Sequence, residues 1–286
     1  MTVRDYLKKI QMTGISKDLM ISVKVLLCDI LNIDRNVLFK HYDDELSSSR
    51  LDRLEKDTNR LLSGEPLAYI TGKAPFGDLM LYVDNNVLIP RQDTEITAET
   101  ASQKCINISN IKGKISFLDL CCGSGCIFLF IRDLLDKKEI DYESYASDIS
   151  EKALNVARIN QENCKPLCRT DIRQGDLFEP WNDLKFDVVV SNPPYIPTKK
   201  IDLLDINVRD HEPRLALDGG ASGMDIYKRI IEEAPMHIIH GGYLVLEAGF
   251  CEADEIAELM KTASFSEIEI IKDYNNIDRV VSGKNE

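Results

Sequence analysis

The first part of the chain carries apolar residues at the spacing of amphipathic helices. They recur at three- and four-residue intervals in "VRDYLKKI", "SKDLMISVKVLLCDIL", "DRNVLFKHY" and "SSRLDRLEKDTNRLLSG". Ser16 and the run Ser47 to Ser49 stand where helix N-caps are expected, and Gly14 and Gly64 stand where helices stop. The pattern predicts a small helical domain, which we place at residues 1–73.

The period then changes to the two-residue alternation of a strand in "DLMLYVDNNVLIP". The polar run Asp84-Asn85-Asn86 separates two short apolar runs, which predicts a β-hairpin that turns at this run and leads into Pro90. We take residues 74–90 as a hairpin linker and residues 91–286 as a second domain.

From about Ile115 onward, short apolar runs alternate with longer helical patterns. Helices are expected at residues 126–135, 150–163, 224–239 and 252–262. Strands are expected in "KISFLDL", "SYASD", "FDVVVS", "GGYLVLEA", "FSEIEIIKD" and "DRVVSG". This alternation predicts an α/β domain with a mostly parallel, doubly wound, Rossmann-like sheet.

Composition and charge narrow the classes of partner. Apolar residues make up 44% of the chain, and no stretch approaches the roughly 18 apolar residues that a membrane span requires. The net charge of −13 repels polyanions, so nucleic acid is an unfavourable direct substrate. The opening "MTVRDYLKKIQMTG" has the character of neither a secretion signal nor a transit peptide, which predicts a cytoplasmic protein. Nothing in the sequence suggests more than a monomer.

The eight cysteines lie mostly in apolar or glycine-rich contexts, as reduced core residues do. A zinc site would have to combine Cys121, Cys122 and Cys126 with Cys164 and Cys168. This set lacks the paired C-x-x-C spacing of structural zinc sites, so no metal is predicted.

Acidic residues follow three successive predicted strands. "FLDLCCGSGC" ends a strand at Asp119 and continues into a turn through Gly123 and Gly125, where glycine lets the backbone approach a ligand. Asp148 ends the next strand about 20 residues later, the usual place for an acid that binds ribose hydroxyls, although it could instead cap the following helix. Asp176 ends the third run.

These signals together favour one class of ligand. The chain has no G-x-x-x-x-G-K-[ST] phosphate loop, and no arginine or lysine stands near the glycine turn in sequence. An acidic, glycine-rich pocket suits a nucleoside that carries a positive charge, and S-adenosylmethionine is such a ligand.

The strand "FDVVVS" ends in Asn192-Pro193-Pro194-Tyr195. Prolines cannot continue a sheet ladder, so the chain turns there and leaves rigid acceptors at the strand end. An amide or exocyclic amino nitrogen is a poor nucleophile with two N–H donors. Accepting them on the Asn192 side chain and the Pro193 carbonyl would fix the nitrogen and free its lone pair. Tyr195 could stack on the planar group. The alternative is a purely structural turn.

The glycine turn, Asp148 and the N-P-P-Y turn, in this order and spacing, resemble the Rossmann-type S-adenosylmethionine-dependent methyltransferases that modify planar amino or amide nitrogens. The segments "EPLAYITGKAPFG", "LIPRQDTE" and "HEPRLALDGGASG" further resemble the HemK-type or PrmC-type release-factor glutamine methyltransferases, over nearly the whole chain.

That resemblance implies methyl transfer from S-adenosylmethionine to the glutamine of the Gly-Gly-Gln loop of peptide chain release factors, with S-adenosylhomocysteine as product. It implies that residues 192–195 hold the glutamine and that the helical domain helps to bind the release factor. The cofactor residues it implies are Asp119, Cys121, Cys122, Gly123, Ser124, Gly125, Asp148, Asp176, Leu177 and Asn192.

The sequence departs from the family pattern at Cys121, which occupies a glycine position, and at Gln92, where a second proline is common. We expect the backbone at Cys121 to avoid conformations that only glycine tolerates. Arg91 and Arg214 receive no individual role. Two other classes stay open: an amino-methyltransferase acting on RNA or DNA, which would be expected to carry a basic groove, and a non-catalytic protein with the same fold, for which loss of Asn192 or Asp148 would be the sign.

Overall fold

The computed structural model describes residues 1–164 and 169–286, and the chain divides into two compact units. One unit consists of residues 1–72 and 205–211, and the other of residues 73–204 and 212–286. The α-helices are α1 Val3–Gln11, α2 Lys17–Leu31, α3 Ser48–Leu62, α4 Leu67–Thr71, α5 Gln92–Lys112, α6 Cys126–Lys137, α7 Glu151–Asn163, α8 Thr198–Ile201, α9 Ile206–Arg209, α10 Asp225–His237 and α11 Ala253–Thr262. Short 3-10 helices span Arg35–His41, Glu179–Trp181 and Arg214–Ala216.

The strands are β1 Lys73–Phe76, β2 Leu79–Tyr82, β3 Ile115–Leu120, β4 Tyr142–Asp148, β5 Asp171–Gln174, β6 Phe186–Ser191, β7 Ile238–Glu247, β8 Phe265–Lys272 and β9 Asp278–Asn285.

The first unit contains the predicted helices. The hydroxyl of Ser16 accepts the backbone N–H of Leu19 at 3.2 Å and so caps α2, as the sequence predicted. Tyr6 and Leu54 are fully buried in the core of this unit, and the Tyr6 hydroxyl donates to Thr58 at 2.8 Å, which satisfies its polar end. The helical part of the fold prediction is confirmed.

The second unit is built on a seven-stranded sheet of order β5-β4-β3-β6-β7-β9-β8. The neighbours from β5 to β7 are parallel, whereas β9 pairs antiparallel with both β7 and β8. Successive residues of β3 enter different cores: Phe117 packs in one apolar cluster and Leu118 in the other, as expected for a sheet covered on both faces. The predicted Rossmann-like, mostly parallel sheet is confirmed.

The predicted hairpin exists, but its turn is elsewhere. β1 and β2 pair antiparallel with Phe76 opposite Leu79, so the chain turns at Gly77, which takes a φ of +53°. The run 84–86 follows the second strand, and there Asp84 Oδ1 accepts the Asn86 N–H at 2.9 Å. The prediction of a turn at Asp84–Asn86 within the hairpin was therefore wrong, because this run makes a separate side-chain-capped turn.

Helix α5 lies against the sheet, but no periodic apolar pattern in the sequence predicts it. Its buried face carries small and hydroxylated residues, among them Thr94, Thr97, Ala98, Ala101 and Ser102. Such a face produces no apolar stripe, and the periodicity argument depends on that stripe. Across the two described ranges, no helix has both the length and the apolar character needed to cross a membrane.

Candidate active site

The site lies at the point where the order of the parallel strands reverses. β4 pairs with one edge of β3, and β6 pairs with the other edge. Such a switch point opens a crevice at the carboxyl ends of the strands. A cavity of about 220 Å³ occupies this place, many times the ~10–15 Å³ that one water needs. The predicted site residues in its wall are Cys121, Cys122, Gly123, Ser124, Asp148, Asp176, Leu177, Asn192 and Pro194.

Asp119 lies beneath this wall rather than in it. It is fully buried in β3, and its Oδ2 accepts the backbone N–H of Phe128 in the first turn of α6 at 3.1 Å. Burial raises the pKa of its carboxyl well above the usual value. At Gly125, which takes a φ of +82°, a Cβ would stand 2.6 Å from the Phe128 ring. Both residues therefore shape the loop from below.

The backbone conformation of Cys121 differs from the one that the sequence led us to expect. Its φ is +56°, in the left-handed region that favours glycine. The loop between β3 and α6 has to turn sharply enough for the Cys122 N–H to reach the Ser147 carbonyl at 3.1 Å, and Cys121 provides that turn in spite of its Cβ. The expectation that its backbone avoids glycine-type conformations was wrong, and the chain holds local strain at this position.

Asp148 joins two loops at the end of β4. Its Oδ2 accepts the N–H of Gly123 at 2.9 Å, and its Oδ1 accepts the N–H of Ser150 at 2.9 Å. Burial raises the pKa of this carboxyl, while the backbone donors act in the opposite direction. The cap of α7 is Ser150, whose hydroxyl accepts the Ala153 N–H at 3.2 Å. Asp148 thus orients the glycine turn and borders the cavity.

Two arginines line the cavity, although none stands near the glycine turn in sequence. Arg229 of α10 pairs with Asp176 at 2.8 Å, and Arg91 pairs with Glu212, whose carboxyl is almost fully buried. Burial raises the pKa of Glu212, and Arg91 acts against this rise. α10 and the residues before α5 bring these side chains from distant parts of the chain, so the sequence around the glycine turn does not reveal them. Each guanidinium has an acidic partner.

Asn192 follows β6, and its side-chain amide is held from α5. Its Nδ2 donates to Thr94 Oγ1 at 3.2 Å. Thr94 is buried, and Thr97, one turn further along α5, donates to the buried carboxyl of Glu247, the last residue of β7, at 3.3 Å. Asn192 and Pro194 belong to the cavity wall, whereas Tyr195 packs against the apolar cluster that contains Leu246. Among the described residues, neither Pro193 nor Tyr195 belongs to that wall. Burial raises the pKa of the Tyr195 phenol.

A glycine-rich strap supports the N-P-P-Y turn. The Ile196 N–H donates to the Leu217 carbonyl at 2.9 Å, and the Gly219 N–H donates to the Ile196 carbonyl at 2.9 Å. A Cβ on Gly219 would stand 2.6 Å from Tyr195 Cα and 2.8 Å from the Pro194 oxygen. The segment "LDGGASG" therefore has glycine at 219 because two backbones meet there.

Comparison with known proteins identifies the family. The family model of the PrmC N-terminal domain matches residues 11–72, and that of the methyltransferase small domain matches residues 101–208. The release factor glutamine methyltransferase of Geobacter sulfurreducens is 36% identical over 259 residues, which cover 91% of this chain and 87% of the relative. The protein of that name from Clostridium acetobutylicum is 38% identical over 260 residues, 90% and 88% of the two chains. The chain belongs to the release factor glutamine methyltransferases.

The family predicted from the sequence is thereby confirmed. Among solved structures, the hMettl16 catalytic domain in complex with MAT2A 3′UTR hairpin 6 aligns with a TM-score of 0.56 over 84% of this chain and 83% of that one. The two share 13% identity, so this likeness supports the methyltransferase fold alone.

Three residues in or near the site were not predicted from the sequence. Thr94 lies in the segment "LIPRQDTE", but only the fold brings it to Asn192. Asn160 of α7 is buried; its Nδ2 donates to the carbonyls of Tyr82 and Ser124 at 2.9 Å each, and its Oδ1 accepts the Tyr82 N–H at 2.7 Å. Glu247 ends a strand that was predicted, but its burial beside Thr97 depends on packing.

In the described part of the chain, no His, Cys, Asp and Glu side chains come together in a group that could hold a metal ion. Cys168, which the zinc alternative would need, lies outside the described residues.

Proposed function

We propose that this protein methylates the side-chain amide nitrogen of the glutamine in the Gly-Gly-Gln motif of peptide chain release factors, with S-adenosylmethionine as methyl donor. The proposal rests on one observation above all: the Asn192 amide stands at the switch-point cavity with its N–H₂ group held by Thr94. Family membership supports the same reaction.

The cavity wall is suited to S-adenosylmethionine, which supplies an electrophilic methyl group on a sulfonium. Asp148 would accept the ribose hydroxyls, and the backbone of the turn through Gly123 would lie against the nucleoside. Leu177 and Ile149 offer apolar surface for the adenine. Asp119 and Gly125 would act indirectly, by holding the turn in shape.

Asn192 would orient the acceptor. Because its Nδ2 is engaged by Thr94, its Oδ1 is left as the acceptor for one N–H of the substrate amide. The Pro193 carbonyl would accept the other N–H, and the lone pair of the nitrogen would then face the methyl group. Proline at 193 and 194 keeps the turn rigid. Tyr195 would stack on the amide if its ring reached the cavity when substrate binds.

The helical unit would contribute to binding the release factor. Residues 1–72 carry 11 Lys and Arg against 11 Asp and Glu, so the net charge of −13 comes from the rest of the chain. The neutral segment 1–72 would repel a negatively charged surface less than the rest of the chain would.

The test is mass spectrometry of a release factor incubated with the protein and S-adenosylmethionine, with fragmentation of the Gly-Gly-Gln peptide. One methyl group is expected on the glutamine. Asn192→Ala should abolish it while the dissociation constant of the cofactor stays within about twofold, because the side chain acts on the acceptor. Asn182→Ala, which changes an exposed asparagine, is the matched control.

No added methyl, from protein that binds S-adenosylmethionine, would overturn the proposal. The same reaction is then repeated with total RNA and with plasmid DNA, and methylation of an amino group there would establish the alternative class.

A further inference from the structure

The helical unit carries an open groove between α1 and α2, with a volume of about 520 Å³. Positions 4, 8 and 11 of α1 and positions 17, 21 and 24 of α2 line it, and Tyr42 completes the wall. This spacing places each set on one face of its helix, over about 10 Å of helix axis. The feature, which we call the α1–α2 groove, is therefore two helical turns long.

Every charged side chain in the wall of the α1–α2 groove is basic. The four are Arg4, Lys8, Lys17 and Lys24, and among the described residues no acidic side chain belongs to this wall. Arg4 pairs with Asp43 at 2.9 Å, whereas the described residues offer no ion pair to the three lysines. In a chain with a net charge of −13, the groove is a local reversal of sign. Its lysines repel one another until an acidic partner is bound.

The groove also exposes apolar surface between its cations. Leu7 and Met20 are partly buried and pack against the core of the helical unit, so they form the floor. Ile21 remains 43% exposed. Lysines alone would keep this face in water, and a solvated basic face needs no apolar floor. The combination of floor and cations is instead typical of a surface that receives another chain.

An acidic amphipathic segment satisfies both features of the groove. Its apolar side chains would cover the floor, and its carboxylates would pair with the lysines on either side. Building on the proposed function, we propose that the α1–α2 groove is the docking site for an acidic, amphipathic segment of the release factor, about two helical turns long. The groove holds the substrate protein and takes no part in the chemistry of methyl transfer.

Two observations favour a protein segment over nucleic acid as the occupant. The net charge of the chain repels a long polyanion, whereas a short acidic segment can reach the groove alone. The ring of Tyr42, which could otherwise stack on a base, has a face covered by Arg4, whose guanidinium carbon lies 5.4 Å from the ring centroid. The groove therefore offers charge and apolar contact without a free stacking platform on this side.

The first test measures the affinity of the full chain for a release factor by titration calorimetry. The groove variant combines Lys8→Gln, Lys17→Gln and Lys24→Gln; the control variant combines Lys9→Gln, Lys40→Gln and Lys56→Gln. Both lose three charges, and the control lysines are exposed outside the groove wall. The dissociation constant should rise at least about tenfold in the groove variant and stay within about twofold in the control. Equal dissociation constants in the two variants would overturn the proposal.

Salt and turnover add a second readout for the same variants. Added salt should weaken binding by the wild type more than by the groove variant, because the lysine pairs are screened. In steady-state methyl transfer, the groove variant should show a higher KM for the release factor with kcat unchanged, since docking precedes the chemistry. A fall in kcat with KM unchanged would overturn the docking role.

The apolar floor is tested separately. Ile21→Ser should raise the dissociation constant of the release factor about tenfold, because it removes apolar contact at the centre of the groove. Met12→Ser is the control: Met12 is 88% exposed and lies outside the groove wall, so the dissociation constant should stay within about twofold. Equal affinities of the two variants would overturn an amphipathic occupant.

A third measurement needs no substitution and no turnover. Acetylation of lysines, mapped by mass spectrometry, should slow at Lys8, Lys17 and Lys24 when the release factor is added, and not at the control lysines. Carbodiimide coupling should join the protected lysines to acidic residues of one release-factor segment. Protection by total RNA, or by a higher concentration of the protein alone, without protection by the release factor would overturn the proposal in favour of nucleic acid or a second copy.

The two proposals fail in different ways. Protection of the groove lysines by a release factor that is never methylated would overturn the proposed function and leave the docking site standing. Methylation of the release factor without any protection of these lysines would overturn the docking site alone.

Discussion

The carboxylate of Asp148 accepts the backbone N–H of Gly123 at 2.9 Å, so the end of β4 holds the glycine turn that follows β3. Removal of the carboxylate leaves the N–H groups of Gly123 and Ser150 without their acceptor. We expect Asp148→Ala to lower the free energy of unfolding by about 1–3 kcal/mol. It should also raise the dissociation constant of S-adenosylmethionine at least about tenfold, since hydrogen bonds to a charged group are among the strong ones.

Calorimetric titration and thermal unfolding measure these two effects. Asp141→Ala, which removes an exposed acid just before the start of β4, is the matched control for charge. An unchanged dissociation constant in Asp148→Ala would move the ribose contact to another residue.

Asn160 joins the second hairpin strand to the glycine turn through three hydrogen bonds to backbone groups of Tyr82 and Ser124. Asn160→Ala should lower the free energy of unfolding by about 2–4 kcal/mol, because each lost bond contributes about 1 kcal/mol and buried partners are left unsatisfied. Chemical denaturation checks this. Asn155→Ala, at an exposed position of the same helix, should change it by less than about 0.5 kcal/mol. Equal effects of the two would contradict the bridging role.

Gly219 is packed against the backbone of the N-P-P-Y turn, where an added Cβ would stand 2.6 Å from Tyr195 Cα. Gly219→Ala must therefore displace either the strap or the turn, and we expect kcat to fall about 100-fold through the misplaced acceptor groups. Gly241→Ala is the comparison: its φ is +83° and nothing lies within 4 Å of the added Cβ. It should cost about 1 kcal/mol of stability with kcat unchanged. A fully active Gly219→Ala would show that the turn tolerates movement.

Cys121 has a left-handed backbone with a φ of +56°. Cys121→Gly and Cys121→Ala both remove the thiol, but only glycine removes the conflict between Cβ and the backbone. We expect the glycine variant to be more stable than the alanine variant by up to about 1 kcal/mol, after the greater entropy of its unfolded chain is taken into account. Thermal unfolding of the two variants measures this difference in stability. Greater stability of the alanine variant would argue against strain at this position.

The sequence located the part of the site that follows directly from strand order. Gly123, Asp148 and Asn192 each follow a parallel strand, and parallel strands bring their carboxyl ends to one edge, so these residues could be grouped without coordinates. Thr94 and Asn160 come from helices, and what they touch depends on how those helices pack. Glu247 ends a predicted strand, but its neighbours are known only from the fold.

The wrong or missing predictions have physical reasons too. α5 buries hydroxyl and methyl groups instead of a leucine stripe, so the pattern that marks other helices is missing. The hairpin turn at Gly77 is short, and the conspicuous polar run 84–86 drew the prediction away from it. Arg91 and Arg229 reach the cavity from segments far apart in the chain, which no local motif records.

The boundary between β3 and β6 separates two groups of proposed functional residues, one for the methyl donor and one for the acceptor. The residues proposed to hold the methyl donor follow β3, β4 and β5, whereas those proposed to hold the acceptor follow β6. Evolution can therefore rebuild one half while the other is inherited intact. A sheet with this partition can keep a single donor and acquire new acceptors, which makes the fold a ready starting point for redesigning the molecule that receives the methyl group.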